Sequence, residues 1–440
     1  MPSSHSPDRN ELHEQRHRIS ALETGSRLKK VAPMISNPIK KTALLAAVAS
    51  VLLVVSPVLA GEKLQVFILA GQSNMVGHAR AHTIATLLAS DKARDRELVQ
   101  LVFKDDSGVS RGMLEKQLIL GRKLDELTGG ISHDKIKTLT DGPEKKALEA
   151  KVKDLKDAHE AYKQKVASSC VVSDRVYINS IADRNKKFGK LGIGYGGDGK
   201  KIGPEYAFGL SIAEKIDGPI LLIKTSWGGK SLNYNFRPPS AGAYELSEKE
   251  KSSDKADQIR KNVSLNWRMM NDAVHGVLDN LKDNHPAYDA EAGYEIAGFV
   301  WFQGFNDQFS SAFRDNYRTN MISFIKDVRS EYKVPDMPFV IGVLGTGVTE
   351  EKVSENAVSV GQREAAQAPE LQGNVEAVES YIEYSHYSNA IFKKGWPKHF
   401  HEWDTVGSDR PYHYLGSGAF FVRLGDSFAD SMADLISKQK

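Results

Sequence analysis

A parallel β-sheet lying between two helical layers is the fold class that this 440-residue sequence predicts. Three observations predict it. Five short apolar runs are continuous rather than alternating, as strands covered on both faces require. The gaps between them carry apolar residues at helical spacing. Three of the runs end abruptly in polar, glycine-containing loops, and in such sheets ligands bind beyond the strand C-termini.

The first long apolar run is not part of that fold. Thr42–Ala60 follows Lys40 and Lys41 and closes on Val58-Leu59-Ala60. Positive flank, apolar core and small-residue exit spell a secretory signal peptide cleaved before Gly61, and Pro57 argues against a membrane anchor. Met34 opens a short leader of ordinary length, so translation is expected to start there. Residues 1–60 are thus read as extension plus signal peptide, and 61–440 as one domain exported to periplasm or medium.

Within 61–440 the strands are expected at Gln65–Ala70, Pro219–Thr225, Ile296–Phe302, Pro338–Leu344 and Asn374–Ser380. Helices are expected over Tyr206–Ile216, Leu265–Leu281, Phe313–Tyr332, Asn356–Ala368 and Gly416–Ser437. The segment from about Ile84 to Ser169 departs from the alternation. Its Asp141–Val166 stretch is rich in Ala, Lys, Glu and Leu, with Leu148, Val152, Leu155 and Ala158 at helical spacing. It reads as a solvated helical insertion over one edge of the domain, with a partner-binding scaffold as the rival reading.

Composition is ordinarily globular, 40% hydrophobic and 26% charged. Removing residues 1–60 leaves 51 basic against 52 acidic residues, so no polybasic argument for nucleic acid survives. The single cysteine, Cys170, excludes an internal disulfide framework and multi-cysteine metal sites.

The chemistry gathers in the strand-end loops. In Gly71-Gln72-Ser73-Asn74-Met75 a serine follows a buried strand directly, where its hydroxyl meets the cleft and its N–H faces a bound carbonyl. Gly304-Phe305-Asn306-Asp307 offers the Asn306 amide as a second oxyanion donor, and Gly228 or Gly229 offers a backbone N–H as the third. Each loop alone is more often a plain turn; three at successive strand ends favour a site. A serine nucleophile needs a base, and His413 sits where the last loop reaches back before the closing helix. His386, His399 and His401 are nearby. His399-x-His401 invites a metal, but no third ligand is evident. Helix-embedded His133, His159 and His275 read as solvated or packing residues, and Cys170 as a spectator.

These motifs resemble the SGNH hydrolase superfamily, in particular its sialate O-acetylesterase-like branch, carbohydrate esterase family 6. The carriers are Gly71-Gln72-Ser73-Asn74-Met75, Gly203-Pro204-Glu205 and Lys224-Thr225-Ser226-Trp227-Gly228-Gly229. Trp301-Phe302-Gln303-Gly304-Phe305-Asn306-Asp307 and His413-Tyr414 complete them. The resemblance spans roughly Leu64 to Met432 without the insertion. It implies a flavodoxin-like, five-stranded α/β/α sandwich and a serine esterase using no metal or organic cofactor. Ser73 matches the nucleophile, His413 the base, Gly228 or Gly229 and Asn306 the oxyanion donors, and Gln303 stands where it shares that role. Gln72, Asn74, Trp227 and Phe305 are expected to meet the substrate, an acetylated carbohydrate. Trp227, Trp301, Phe302 and Phe305 suit a sugar ring, and Trp227 and Trp301 suit the core equally.

Two departures stand out. Phe305 replaces the branch's glutamate, and Arg410 occupies the position of the acid three residues before the base. Asp409 is the expected acid through a bulged loop, with Asp307 or a backbone carbonyl as alternatives for orienting His413. The rival function is a carbohydrate-binding protein that kept the cleft and lost the acid.

Overall fold

The computed structural model describes residues 61–131, 135–183, 185–371 and 373–439. The signal-peptide and start-site expectations, and His133, lie outside them. The centre of the fold is the strand β1 (Leu64–Gly71), and the reason is its sequence. Phe67 and Leu69 point into one apolar cluster while Val66, Ile68 and Ala70 point into another, so both faces of the strand must be covered.

The sheet has seven strands, two more than the five expected. In chain order they are β1, β2 (Val176–Ala182), β3 (Asn185–Lys190), β4 (Ile220–Ser226), β5 (Tyr294–Phe302), β6 (Phe339–Val343) and β7 (Val375–Glu379). Across the sheet they run β3-β2-β4-β1-β5-β6-β7, with every pair parallel except β2 and β3. The five expected strands stand in the flavodoxin-like order 2-1-3-4-5. The additional pair carries a different pattern: β2 alternates buried and half-buried residues, and β3 is largely exposed. An outer pair covered on fewer sides needs no continuous apolar run.

Helices form the two flanking layers. The insertion contributes α1 (Arg111–Thr128) and α2 (Pro143–Ser169); α3 (Glu205–Ala213), α4 (Leu265–Leu278), α5 (Tyr317–Glu331), α6 (Ala357–Ala366) and α7 (Gly418–Ser437) follow. Phe208 and Ile212 of α3 and Phe420 and Phe421 of α7 pack on the Phe67 side. Trp267 of α4, Phe324 of α5 and Val358 of α6 pack on the Val66 side. Helix α2 buries Val152, His159, Tyr162 and Val166, so its inner face runs further along the helix than the expected stripe, and Ala158 is exposed. No described helix is long and apolar enough to cross a membrane.

Register does the decisive work. Gly71 at the end of β1 pairs with Ser226 of β4 and with Phe302 of β5, so the three strands stop level with one another. The order also reverses at β1, which opens a crevice at that edge.

Candidate active site

Gly71 lets the first loop turn. Its φ is +156°, and a Cβ there would collide with the Phe302 carbonyl. The chain then starts a single helical turn, Ser73–Val76, with Ser73 half-buried at its first position. The Ser73 N–H has no acceptor among the described residues, as expected at a helix start. A buried cation fixes the other end of this turn: Lys224 Nζ donates to the carbonyls of Val76 and Tyr195 and to Glu205 Oε2, each at 2.8 Å. Lys224 and Glu205 are both fully buried, and Glu205 Oε1 accepts from the Gly203 N–H. Burial lowers the Lys224 pKa, and the Glu205 charge opposes that. The glutamate of Gly203-Pro204-Glu205 therefore braces the serine turn.

Gln72 and Asn74, expected at the substrate, are buried and tie loops together. Gln72 Oε1 accepts from Gln303 Nε2 and from the N–H groups of Gly304 and Asn306. Asn74 Nδ2 donates to the Tyr412 carbonyl at 3.2 Å, which docks the His413 loop beside the Ser73 turn. Gln72 Nε2 and Asn74 Oδ1 are left buried without a partner.

The third loop is a buried network. The Gln303 amide donates to Asp307 Oδ2 at 2.6 Å, to the Lys230 carbonyl and to Gln72. Its two hydrogens are therefore committed inside the protein. Asp307, fully buried, accepts from the N–H groups of Leu232 and Asn233. Burial pushes its carboxyl up to about 6 against those hydrogen bonds. Asn306 is different: its amide donates one hydrogen to the Gly229 carbonyl at 2.8 Å and keeps the other. Gly229, with φ +68°, is exposed, and its N–H has no acceptor among the described residues. The Gly228 N–H is taken, donating to both carboxylate oxygens of Asp183 at 3.1 Å. Asp183 closes the β2–β3 turn with a left-handed φ of +44°.

The last loop carries Asp409 and His413. Tyr414 and Leu415 have φ of +49° and +64°, a bulge that folds the chain back so that the Asp409 N–H reaches the Leu415 carbonyl. The Tyr414 hydroxyl, buried, accepts from the Gly345 N–H and pairs with Ser380, holding that bulge against the sheet. In this turn Asp409 Oδ1 lies 3.0 Å from His413 Nδ1. Arg410 points elsewhere, its guanidinium 4.2 Å from the Trp396 ring centroid. Asp307, the alternative acid, is spent on the network above.

One residue escaped the sequence reading. His78, five positions after Ser73, stacks on His413 with ring centroids 4.0 Å apart and planes 4° from parallel. Its Nδ1 is 3.5 Å from Asp409 Oδ2 and 3.5 Å from Lys201 Nζ. Burial resists the charge on Asp409, but the bonds from His413, His78 and the Arg410 N–H hold its carboxyl far below the usual carboxylate range. Burial lowers the His78 pKa, and the neighbouring His413 and Lys201 charges add to this. His78, Asp409 and His413 bring three donors within 4.8 Å of one another, the one such group among the described residues. An ion binds in the plane of an imidazole, and two parallel stacked rings share no such point, so one ring must turn before both can ligate.

The remaining histidines stand apart. His399 caps a short helix, Phe400–Trp403, that contains His401, so the two are not on the shared strand face that the metal reading assumed. His159 of α2 contacts Gln117 and Asp404, His275 of α4 meets Glu331, and the exposed His386 opens a short helix. Trp227, Trp301 and Phe302 are buried in the core, whereas Phe305 is half-buried beside Tyr412.

Residues 182–386 match the family model described as carbohydrate esterase, sialic acid-specific acetylesterase. That segment contains the Gly228–Gly229 and Gln303–Asp307 loops, while Ser73, Asp409 and His413 lie outside it. Three solved structures overlap the chain. A protein from Arabidopsis thaliana has 16% identity over 72% of this chain and 85% of its own, with a TM-score of 0.34. A carbohydrate acetylesterase from Xanthomonas citri has 13% identity over 73% of this chain and 51% of its own, with a TM-score of 0.34. NanS has 9% identity over 73% of this chain and 79% of its own, with a TM-score of 0.32. The chain thus spans about half of the Xanthomonas protein. No curated protein matches.

Proposed function

We propose, because residues 182–386 match the family model described as carbohydrate esterase, sialic acid-specific acetylesterase, that the protein is a serine esterase removing O-acetyl groups from a carbohydrate. The observation that carries this reading is the Asp409–His413 pair at 3.0 Å, on a loop that Asn74 ties to the Ser73 turn.

Ser73 Oγ attacks the acetyl carbonyl carbon while His413 Nε2 takes its proton. Asp409 accepts the His413 Nδ1–H, which fixes the tautomer and leaves Nε2 free as the base. The resting site holds no Ser73–His413 hydrogen bond among those described, and such bonds often close only with substrate bound. The tetrahedral oxyanion is held by the N–H groups of Ser73 and Gly229 and by the free hydrogen of the Asn306 amide. Gly228, Gln303, Gln72 and Asp307 serve by position: Asp183 holds the Gly228 peptide, and the other three hold the Asn306 loop. Protonated His413 then gives its proton to the sugar oxygen as the C–O bond breaks, leaving an acetyl-Ser73 ester. Water, deprotonated by His413, attacks that ester, and the proton passes from His413 to Ser73 Oγ as the acyl C–Oγ bond breaks and acetate leaves.

The rival binding-protein reading rested on a missing acid, and Asp409 beside His413 weakens it. The scaffold reading expects deletion of α2 to abolish partner capture and leave esterase activity unchanged. Export follows from the leader, and Gly61 as the first residue of the protein recovered outside the cytoplasm is the outcome to look for.

The decisive experiment is acetate release from 4-nitrophenyl acetate by the full chain beside Ser73→Ala and His413→Ala. Each substitution is expected to lower kcat by about 10³-fold or more. Equal, background-level rates in all three proteins would sink the esterase.

A further inference from the structure

His78 Nδ1 has two neighbours that make opposite demands of it. Lys201 Nζ lies 3.5 Å away, and so does Asp409 Oδ2. An ammonium has three donors and no acceptor, whereas a carboxylate only accepts. A neutral imidazole nitrogen therefore either keeps its lone pair and accepts from Lys201, or carries a hydrogen and donates to Asp409. It cannot do both at once. The first state leaves Asp409 to His413, whose Nδ1 is 3.0 Å from Oδ1. The second draws the same carboxylate toward His78.

Lys201 is built into this position. Its side chain is 17% exposed, whereas the neighbouring Lys200 is exposed. Ala79–Arg80 and Lys201–Ile202 pair as two short antiparallel strands, with Arg80 opposite Lys201. Gly77 permits so close an approach: its φ is +89°, and a Cβ there would collide with the Gly203 backbone. The Lys201 carbonyl accepts from the N–H groups of Gly194 and Gly196. The Arg80 N–H donates to Ser408 Oγ, one residue before Asp409. Among the described residues, the charged groups facing the ammonium are Asp198 and Asp409, each 4.0 Å off. Those facing His78 are Lys201, Asp409 and the stacked His413. Burial lowers the His78 pKa; its bond to Asp409 opposes this, and the His413 and Lys201 charges add to it.

We propose that Lys201 is a positioning residue of the catalytic centre: by donating to His78 Nδ1 it keeps that ring neutral, and so reserves Asp409 for His413. The proposal rests on the esterase reading, since it is His413 acting as the base that needs the carboxylate. Without the ammonium, His78 takes a proton more readily and pairs with Asp409 Oδ2. Two losses follow. Asp409 no longer holds His413 alone, so the tautomer and orientation of the base loosen. A charged ring also stands 4.0 Å from the imidazolium that forms when Ser73 attacks. Both losses arise only where His78 is protonated, which is the acid side of the rate profile.

The test follows kcat/KM for 4-nitrophenyl acetate against pH, by acetate release from the full chain. Lys201→Met is expected to move the acid limb up by about half a pH unit, about threefold in kcat/KM at a given pH on that limb. Lys201→Arg, which keeps the charge, is expected to leave the limb in place. In the His78→Phe background, adding Lys201→Met is expected to leave it in place as well. Asp198→Asn frees Lys201 from its other carboxylate and keeps the acceptor for the Lys200 N–H, so it is expected to move the limb down. That variant decides the matter where Lys201→Met does not fold, and a limb that stays or rises would overturn the proposal. A lower plateau with an unmoved limb in Lys201→Met would make the lysine merely structural. An equal shift with and without His78 would also sink the idea, because Lys201 would then act on Asp409 directly. Proton NMR of the His78 Cε1–H in Ser73→Ala reads the contact without chemistry, and adding Lys201→Met is expected to raise the titration midpoint. An unmoved midpoint would overturn the coupling, while a raised midpoint in a chain that releases no acetate would remove the esterase and keep the coupling.

Discussion

Asp409 lies beside His413 although it stands one residue further back than the spacing that the resemblance implies. The left-handed Tyr414 and Leu415 turn the chain so that the Leu415 carbonyl accepts from the Asp409 N–H, and the Asp409 carboxylate, four residues before His413, lies 3.0 Å from its Nδ1. Asp409→Asn keeps the shape but lets the imidazole take the other tautomer, and kcat is expected to fall by about 10³- to 10⁴-fold with KM nearly unchanged. His78 acts on the same ring from its face. His78→Ala, which removes the stacked neighbour, is expected to lower kcat several-fold, whereas His78→Phe, which retains a flat ring, is expected to recover most of the loss. Equal rates for the two variants would count against stacking. Ser73, Asn306 and His413 could be proposed from the sequence because loops after apolar runs are visible in it. His78 was not, since only the folding of a loop more than 300 residues away brings Asp409 beside it.

At the scale of elements, the central strands were easy to read and the outer ones were not. Strands β1, β4, β5, β6 and β7 lie within two residues of the expected bounds; in the first four, burial on both faces forces apolar runs, whereas β7 is an edge strand, VEAVE, that is mostly half-buried. Strand β2, Val176–Ala182, alternates, and β3 is lysine-rich, so neither announced itself. What joins element to site is the buried Lys224 of β4. Lys224→Met would strand the Glu205 carboxylate and the Val76 carbonyl without their donor. Removing one partner of a buried pair costs about 3–5 kcal/mol, and urea denaturation of the variant is expected to show a loss of that order. The double variant Lys224→Met with Glu205→Gln is expected to regain part of it, because no unpaired charge then remains.

For the whole molecule, the response to acid follows from histidines that fold neutral. Burial lowers the pKa of His82 to about 4, opposed by the Asp404 charge, and burial with the His159 charge lowers His401 to about 4. The unfolded chain binds these protons near pH 6.5, so their contribution is complete above that pH and is lost as pH falls from 6.5 toward 4. For His82 alone this amounts to about 3 kcal/mol. Asp307 acts in the opposite sense: with its carboxyl raised to about 6, it costs stability above that pH and returns it below. Two histidines outweigh one carboxyl, so Tm is expected to fall between pH 7 and pH 4.5, and to fall less in His82→Gln. An unchanged slope in that variant would show that His82 does not carry the effect.

The hairpin of β2 and β3 has a bearing on how copies of this chain behave at high concentration. A sheet that ended at β4 would offer a long, flat, apolar edge, the template on which unrelated chains pair and aggregate. Instead β3 runs antiparallel, and Lys186, Lys187 and Lys190 are exposed along it, so two such edges brought together repel. The exposed Phe188 between them is guarded by its charged neighbours. The pair that broke the apolar pattern is thus what lets the apolar strands behind it remain soluble.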